Sequence, residues 1–373
     1  MERVSNPVGP TRLSLCGDHF TMGKQHGEQV KALRPLIDEV IRERLREVER
    51  RGQDLQFESL LVETRDALLT HSPATIDLIR GQAVALGYEV ATLLRYDLVS
   101  YLRDDYLARD AIQDEKCTTW AATGSATADG QAVMAKTRDS SKAHLRLQTV
   151  GAITPARGHS YVCVGSAGSP AVYCGGLNDA GLAVADTHVT STRIGPGLPD
   201  FAMMMELLEN FPTVPSAVDY LTSVPRLGRN NLILADAQGE VAVFESGHRS
   251  SALFRTMDGA LVNTNHRVSM LRTHFVDLNP GPLRGNTFSR YDKVTAALAD
   301  GHGAVDVGFA QALMASHDGP LASICRHPRE NSKSSTIAGC IFLPAERRML
   351  FCHGLPCQGT YDSFSSRRGG DNR

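Results

Sequence analysis

The period of the sequence changes near residue 117, and that break constrains the fold more than any other feature. Before it, Val30, Leu33, Ile37, Val40, Ile41, Leu45 and Val48 recur every three or four positions, with Gly52 as a stop. Residues 57–69, 74–86 and 91–107 repeat the pattern, so the first 116 residues read as helical. The opposite face of the first stretch carries Arg42, Glu43, Arg44, Arg46 and Glu47, a solvated helix face with no function assigned. The polar run 110–116 reads as an exposed loop. After it, short β-branched runs separated by glycine turns predict strands at 161–164, 171–174, 182–185, 232–235, 241–244, 260–263, 336–342 and 348–352. Helices are expected near 201–210, 216–223 and 287–298. Strands in hairpins with helices in separate blocks predict an α+β layer fold.

The break itself holds a hairpin. Cys117-Thr118-Thr119-Trp120 begins one strand, Asp129-Gly130 makes the turn, and Ala132 to Arg138 returns, ending on Asp139. Pairing about that turn predicts Arg138 and Asp139 beside Cys117, where a cation favours the thiolate. The competing reading is a buried cysteine acting as a small hydrophobe.

Composition removes several function classes. A formal net charge of -2 gives no reason to expect nucleic acid or an anionic membrane as partner. The sequence from Met1 lacks the apolar core of a signal peptide, no apolar run is long enough for a bilayer, and Asp371-Asn-Arg373 is no peroxisomal address. Eight cysteines without a repeated spacing predict thiols in a reducing cytoplasm. Cys352-His353 and Cys357 form one short thiol/imidazole cluster without a second pair, which argues against structural zinc. Neither a GxGxxG, a Walker A nor a GxSxG pattern occurs in its required context, so neither metal nor cofactor is expected. Cys117 paired with one of the 13 histidines stays open, although no papain-type sequence surrounds it.

Five stretches in order carry a resemblance: Gly23-Lys-Gln-His-Gly27, Cys117-Thr118-Thr119 with Asp139, Gly176-Leu-Asn-Asp-Ala-Gly-Leu182, Thr264-Asn-His266 and Ser323-Ile-Cys-Arg326. Together they resemble the amino-terminal-nucleophile (Ntn) cysteine hydrolases of the acyl-coenzyme A:6-aminopenicillanic acid acyltransferase type, the C45 peptidase family. The resemblance implies a four-layer αββα sandwich with an N-terminal helical segment. It implies self-cleavage between Lys116 and Cys117, giving an α-chain of residues 1–116 and a catalytic β-chain of residues 117–373. The family's bond often follows a small residue, and Lys116 departs from that.

The roles it implies are specific. Cys117 is the nucleophile and its freed α-amine the base, since an α-amine near roughly 7.7–8.0 and a thiol near about 8.5 both titrate close to working pH. Asp139 would hold the α-amine, Asn265 would donate its amide to the oxyanion, and Arg138 or Arg326 would favour the thiolate. Ser246 and Thr119 would lie near the substrate, and His26 would be structural. Simpler readings stand beside these: Asn265 capping a turn, Asp139 ending a strand, Arg326 pairing on the surface. The implied partner is a small-molecule amide or acyl donor, whose acyl group passes to water or an amine. Further copies of the chain are an open option. The alternative from another class is a binding module that keeps the fold without catalysis.

Overall fold

The computed structural model describes residues 9–49, 54–102, 116–170, 172–275, 285–328 and 334–367. The described chain opens on strand β1 (Thr11–Gly17), not on a helix, which corrects the all-helical reading of the first 116 residues. Leu13 and Leu15 alternate inward there, and the strand pairs in parallel with residues more than a hundred positions later. Helices α1 (His19–Gln29), α2 (Arg34–Glu49), α3 (Asp54–His71), α4 (Pro73–Leu86) and α5 (Val90–Leu102) follow. The expected single helix from Val30 is broken by a short 3₁₀ turn at Lys31–Leu33.

Helices α1 and α4 cross with almost no separation. A Cβ on Gly23 would overlap the Leu78 carbonyl, and one on Gly81 would overlap the Phe20 carbonyl. Beside this contact His26 is fully buried, and Gln82 Nε2 donates to His26 Nδ1 at 2.9 Å and to the Ser169 carbonyl at 2.7 Å. Burial drives the imidazole pKa down to about 4, so the ring is neutral. His26 thus takes part in tying the helical segment to the rest of the chain.

The predicted hairpin forms β2 (Lys116–Thr123) and β3 (Val133–Ser141), followed by α6 (Lys142–Leu147) and β4 (Gln148–Pro155). Next come β5 (Tyr161–Ser166), β6 (Gly175–Asn178) and β7 (Ala183–His188). Residues 172–174, expected in a strand, lie outside one, and Ala171 is outside the described residues; the strand is the adjacent, glycine-led β6. Helices α7 (Asp200–Asn210) and α8 (Val214–Ser223) precede β8 (Asn230–Ala235), β9 (Val241–Ser246), β10 (Ser251–Thr256) and β11 (Gly259–Asn263). Then follow α9 (Asn286–Asp300), α10 (Val307–Met314), α11 (Gly319–Ala322), β12 (Ser334–Leu343), β13 (Arg348–His353) and β14 (Tyr361–Ser365).

The strands make two sheets, one ordered β1-β4-β5-β6-β7-β8-β9-β10 and the other β11-β2-β3-β12-β13-β14. Three apolar cores then define four layers. One packs α1–α5, α7 and α8 on the eight-stranded sheet through Met22, Leu78, Phe201, Leu208 and Phe244. The second lies between the sheets, with Ala121 and Met134 facing Val162, Leu177 and Ile233. The third packs Trp120, Ala135 and Ile341 against Val294, Leu298 and Ala310 of α9 and α10. Covered on both faces, β2 and β3 are buried along nearly their whole length, although both carry polar side chains. The fold is an α+β, four-layer αββα sandwich.

Candidate active site

Cys117 is the second residue of β2, half-buried, and faces Arg138 across the hairpin. Side chains alternate along a strand, and cross-strand partners share a face. Ala121 and Met134 point between the sheets, so Cys117, Thr119, Lys136 and Arg138 share that face. Lys116 pairs with Asp139, and that pair faces the opposite way, towards α9. The sequence reading set Arg138 and Asp139 beside Cys117; Arg138 is its cross-strand partner on the same face, and the Asp139 side chain lies on the other face.

On the inter-sheet face, Lys136 Nζ is buried and donates to the carbonyls of Cys174 at 2.8 Å and Asp186 at 2.7 Å, and it pairs with the Asp186 carboxylate. Burial opposes its charge, but Asp186, with Cys174 and Cys117, outweighs it, and the ammonium pKa is raised. The Arg138 guanidinium lies 4.9 Å from the centre of the Tyr173 ring. Burial pushes the Cys117 thiol up to about 12, against the pull of Lys136 and, more weakly, Arg138. Desolvation therefore wins, and the sulfur in the uncut chain is a protonated thiol that needs a base.

The backbone around Cys117 is held by two residues. Asn265 Oδ1 accepts the Cys117 backbone N–H at 3.0 Å, while Asn265 Nδ2 donates to the His188 carbonyl at 2.9 Å. A second donor to Oδ1, Arg290 Nη2 at 2.8 Å, agrees with that orientation of the amide. Arg290 comes from α9 and is 1% exposed. Its Nη1 donates to the Cys117 carbonyl at 2.5 Å and the Thr118 hydroxyl at 2.7 Å, and its Nε to Asn286 Oδ1, one turn earlier, at 2.9 Å. Burial lowers its pKa to about 10, with Asp139 opposing the shift.

Asp139 is buried among other partners. Arg326 Nη1 donates to its Oδ2 at 3.1 Å and the Thr336 hydroxyl to its Oδ1 at 2.6 Å, and Thr336 Oγ1 also accepts from the Arg326 backbone at 2.8 Å. Arg326 is thus buried, not a surface ion-pair residue. Thr119 donates to the Asn263 carbonyl at 3.2 Å. Ser246 ends β9 with its hydroxyl buried; its carbonyl accepts from Arg267 Nη2 at 2.5 Å. Lys116, expected at the end of an exposed loop, is a buried strand residue; residues 110–115 lie outside those described.

Sequence reasoning missed Arg290 and Lys136. The signal for Arg290 was the Asn286/Arg290 spacing of four, which puts both on one helix turn. For Lys136 it was a lysine that directly follows the apolar run Ala132 to Ala135. A cavity of about 460 Å³ is lined by Arg193, His248, Arg249, Arg267 and His274. His317, Cys325, His327 and Cys357 bring their ligating atoms within 4.8 Å of one another. No described helix is long and apolar enough to cross a membrane.

Residues 126–358 match the family model of the acyl-coenzyme A:6-aminopenicillanic acid acyl-transferase, a span that includes Asp139, Asn265, Arg290 and Arg326 and begins after Cys117. No curated protein matches the chain. Among solved structures, a conjugated bile acid hydrolase from Clostridium perfringens is similar in two variant crystal structures. Each has 12% identity and a TM-score of 0.45; the matches cover 67% and 68% of this chain and 97% of the other. A penicillin V acylase from Agrobacterium tumefaciens is similar at 18% identity and a TM-score of 0.38, covering 69% of this chain and 79% of that one.

Proposed function

Because this chain belongs to the acyl-coenzyme A:6-aminopenicillanic acid acyl-transferase family, we propose that it is a self-processing Ntn cysteine hydrolase that cleaves an N-acyl amide bond through a thioester on Cys117. The observation that carries the reading is the bond from the Cys117 backbone nitrogen to Asn265 Oδ1, reinforced by Arg290 on the same oxygen and on the next carbonyl. The nitrogen that cleavage would free already sits against an acceptor.

In maturation, Cys117 Sγ attacks the Lys116 carbonyl carbon and the Lys116–Cys117 C–N bond breaks. The nitrogen takes up the thiol proton and leaves as the α-amine, and water hydrolyses the thioester to free the Lys116 carboxylate and restore the thiol. Residues 1–116 become the α-chain and residues 117–373 the β-chain. In turnover, the α-amine takes the thiol proton. The sulfur attacks the substrate carbonyl, and the amine product leaves with the proton that the α-amine held. Water then attacks the thioester, releasing the acid and restoring the thiol. Asn265 Nδ2 has a second hydrogen beyond the one given to His188, and this one serves the oxyanion. Asp139, with Arg326, supports the hairpin from the opposite face; the direct hold on the α-amine passes to Asn265. Thr119 and Ser246 act on the shape of the site. Eight free thiols suit a reducing cytoplasm.

Intact-mass analysis and an amide-hydrolysis assay test the proposal. Cys117→Ala is expected to remain one chain and to lose turnover; normal turnover in that variant refutes it. A screen of N-acyl amides, small peptides and β-lactams, with and without an added amine, separates hydrolysis from acyl transfer.

A further inference from the structure

We propose that His317, Cys325, His327 and Cys357 form a tetrahedral zinc site that clamps the loop carrying Arg326 to the β13–β14 connection. Cys352 and His353, the near neighbours that made Cys357 look like a lone cluster, face elsewhere: Cys352 Sγ contacts the Leu355 carbonyl and His353 Nδ1 contacts Gln148 Oε1 at 2.9 Å. Cys357 instead meets a second set of ligands that arrives from the loop on either side of α11. Cys325 Sγ lies 3.6 Å from Cys357 Sγ, and His327 Nε2 lies 3.2 Å from the same sulfur. The His317 and His327 rings stand 4.8 Å apart, centroid to centroid, at 69°.

Three features favour zinc. The donor set is two thiols and two imidazoles, the soft and borderline mixture that structural zinc takes. With Zn–S near 2.3 Å, the edge of a tetrahedron between two sulfurs is about 3.8 Å, close to the spacing already present. His317 is oriented by its other nitrogen, since Nδ1 contacts the Cys325 carbonyl at 2.8 Å and leaves Nε2 to ligate. Binding transfers one proton from each thiol to solvent and leaves the metal as Zn²⁺. The site bears on the candidate active site because Arg326 stands between two ligands and reaches Asp139.

The test uses full-length protein purified with reductant, stripped with a chelator and titrated with Co²⁺, then Zn²⁺. One equivalent of Co²⁺ should give the intense visible bands of tetrahedral cobalt with a sulfur-to-cobalt charge-transfer band, and Zn²⁺ should erase both. Cys357→Ser and His327→Gln should weaken Co²⁺ binding by more than about tenfold. Cys16→Ser, at an exposed thiol, should leave it unchanged. The stripped wild type should melt at a lower temperature than the zinc-loaded form. Weak octahedral cobalt bands, or a spectrum unaltered by Cys357→Ser, would overturn the proposal. So would a Cys325–Cys357 disulfide in freshly isolated protein, which would make the pair redox-active thiols instead.

Discussion

Replacing Arg290 by leucine removes four donated contacts from a buried site. The acceptors left behind are the Cys117 carbonyl, the Thr118 hydroxyl, Asn265 Oδ1 and Asn286 Oδ1. Hydrogen bonds to a charged group contribute about 1.5–3 kcal/mol each, so the four together give about 6–12 kcal/mol gross. Leucine also escapes the desolvation of a buried guanidinium, several kcal/mol in the opposite direction. The net expectation is a loss of about 3–5 kcal/mol, in line with breaking other buried charge networks. The measurement is a urea titration of Arg290→Leu in a Cys117→Ala background, where the chain stays whole, read as a lower midpoint at unchanged slope. With Cys117 present, self-cleavage should slow by at least about 10², because Arg290 fixes the carbonyl after the nucleophile and the acceptor of its nitrogen. Arg290→Lys should rescue little, since an ammonium cannot span the Thr118 and Asn265 contacts as a planar fork does. An Arg290→Leu chain with parental stability and parental cleavage would refute the reasoning.

Asn265→Ala should lower kcat by about 10²–10³ with a smaller effect on KM in steady-state assays, and an effect on KM alone would reassign the residue to ground-state binding. Asp139→Asn leaves Arg326 buried against a neutral partner; an unfolding free energy lower by about 3–5 kcal/mol in urea titration and impaired maturation are expected. Gly23→Ala forces a methyl into the Leu78 carbonyl and should cost about 1–3 kcal/mol by thermal or urea unfolding. His26 has a folded pKa near 4 against 6.5, so the unfolded chain binds the extra proton between these values and stability is lost as pH is lowered from 6.5 towards 4. At pH 5 the loss is on the order of 2 kcal/mol relative to pH 7, and His26→Gln should flatten that part of the urea-midpoint profile.

Much of the sandwich was legible because its signals are local. The Asp129-Gly130 turn, the apolar runs of β8 and β9 and the helix pattern of α4 each lie within one short window. What escaped needed partners from far along the chain. Strand β1 is a seven-residue alternation whose reason for being a strand is β4. In β6, Gly175 and Gly176 look like turn residues, yet a Cβ on Gly176 would crowd Leu208 and the Val162 carbonyl, so close packing selects glycine inside a strand. Asp139 was placed near Cys117 by proximity along the hairpin, and the alternation of the strand sends its side chain through the sheet to Arg326. Arg290, between Ser289 and Tyr291 on a polar-looking helix, has the sequence of a surface arginine, and only the docking of α9 on β2 buries it. The metal-type cluster joins residues forty positions apart that no spacing rule connects.

The parallel register of β1 with β4 has a consequence for how this molecule can be remade once unfolded. Residues before and after 116 share one apolar core, with Leu13, Met22 and Leu78 packed in the same cluster as Phe201, Leu208 and Phe244. The uncut chain forms that core in a unimolecular reaction. After the proposed cleavage, the same core has to be assembled by two molecules that must first collide, so refolding becomes second order and depends on dilution. The scission would then act as a one-way ratchet: protein folded before the cut persists as a paired whole, while protein denatured after it recovers slowly or not at all at low concentration.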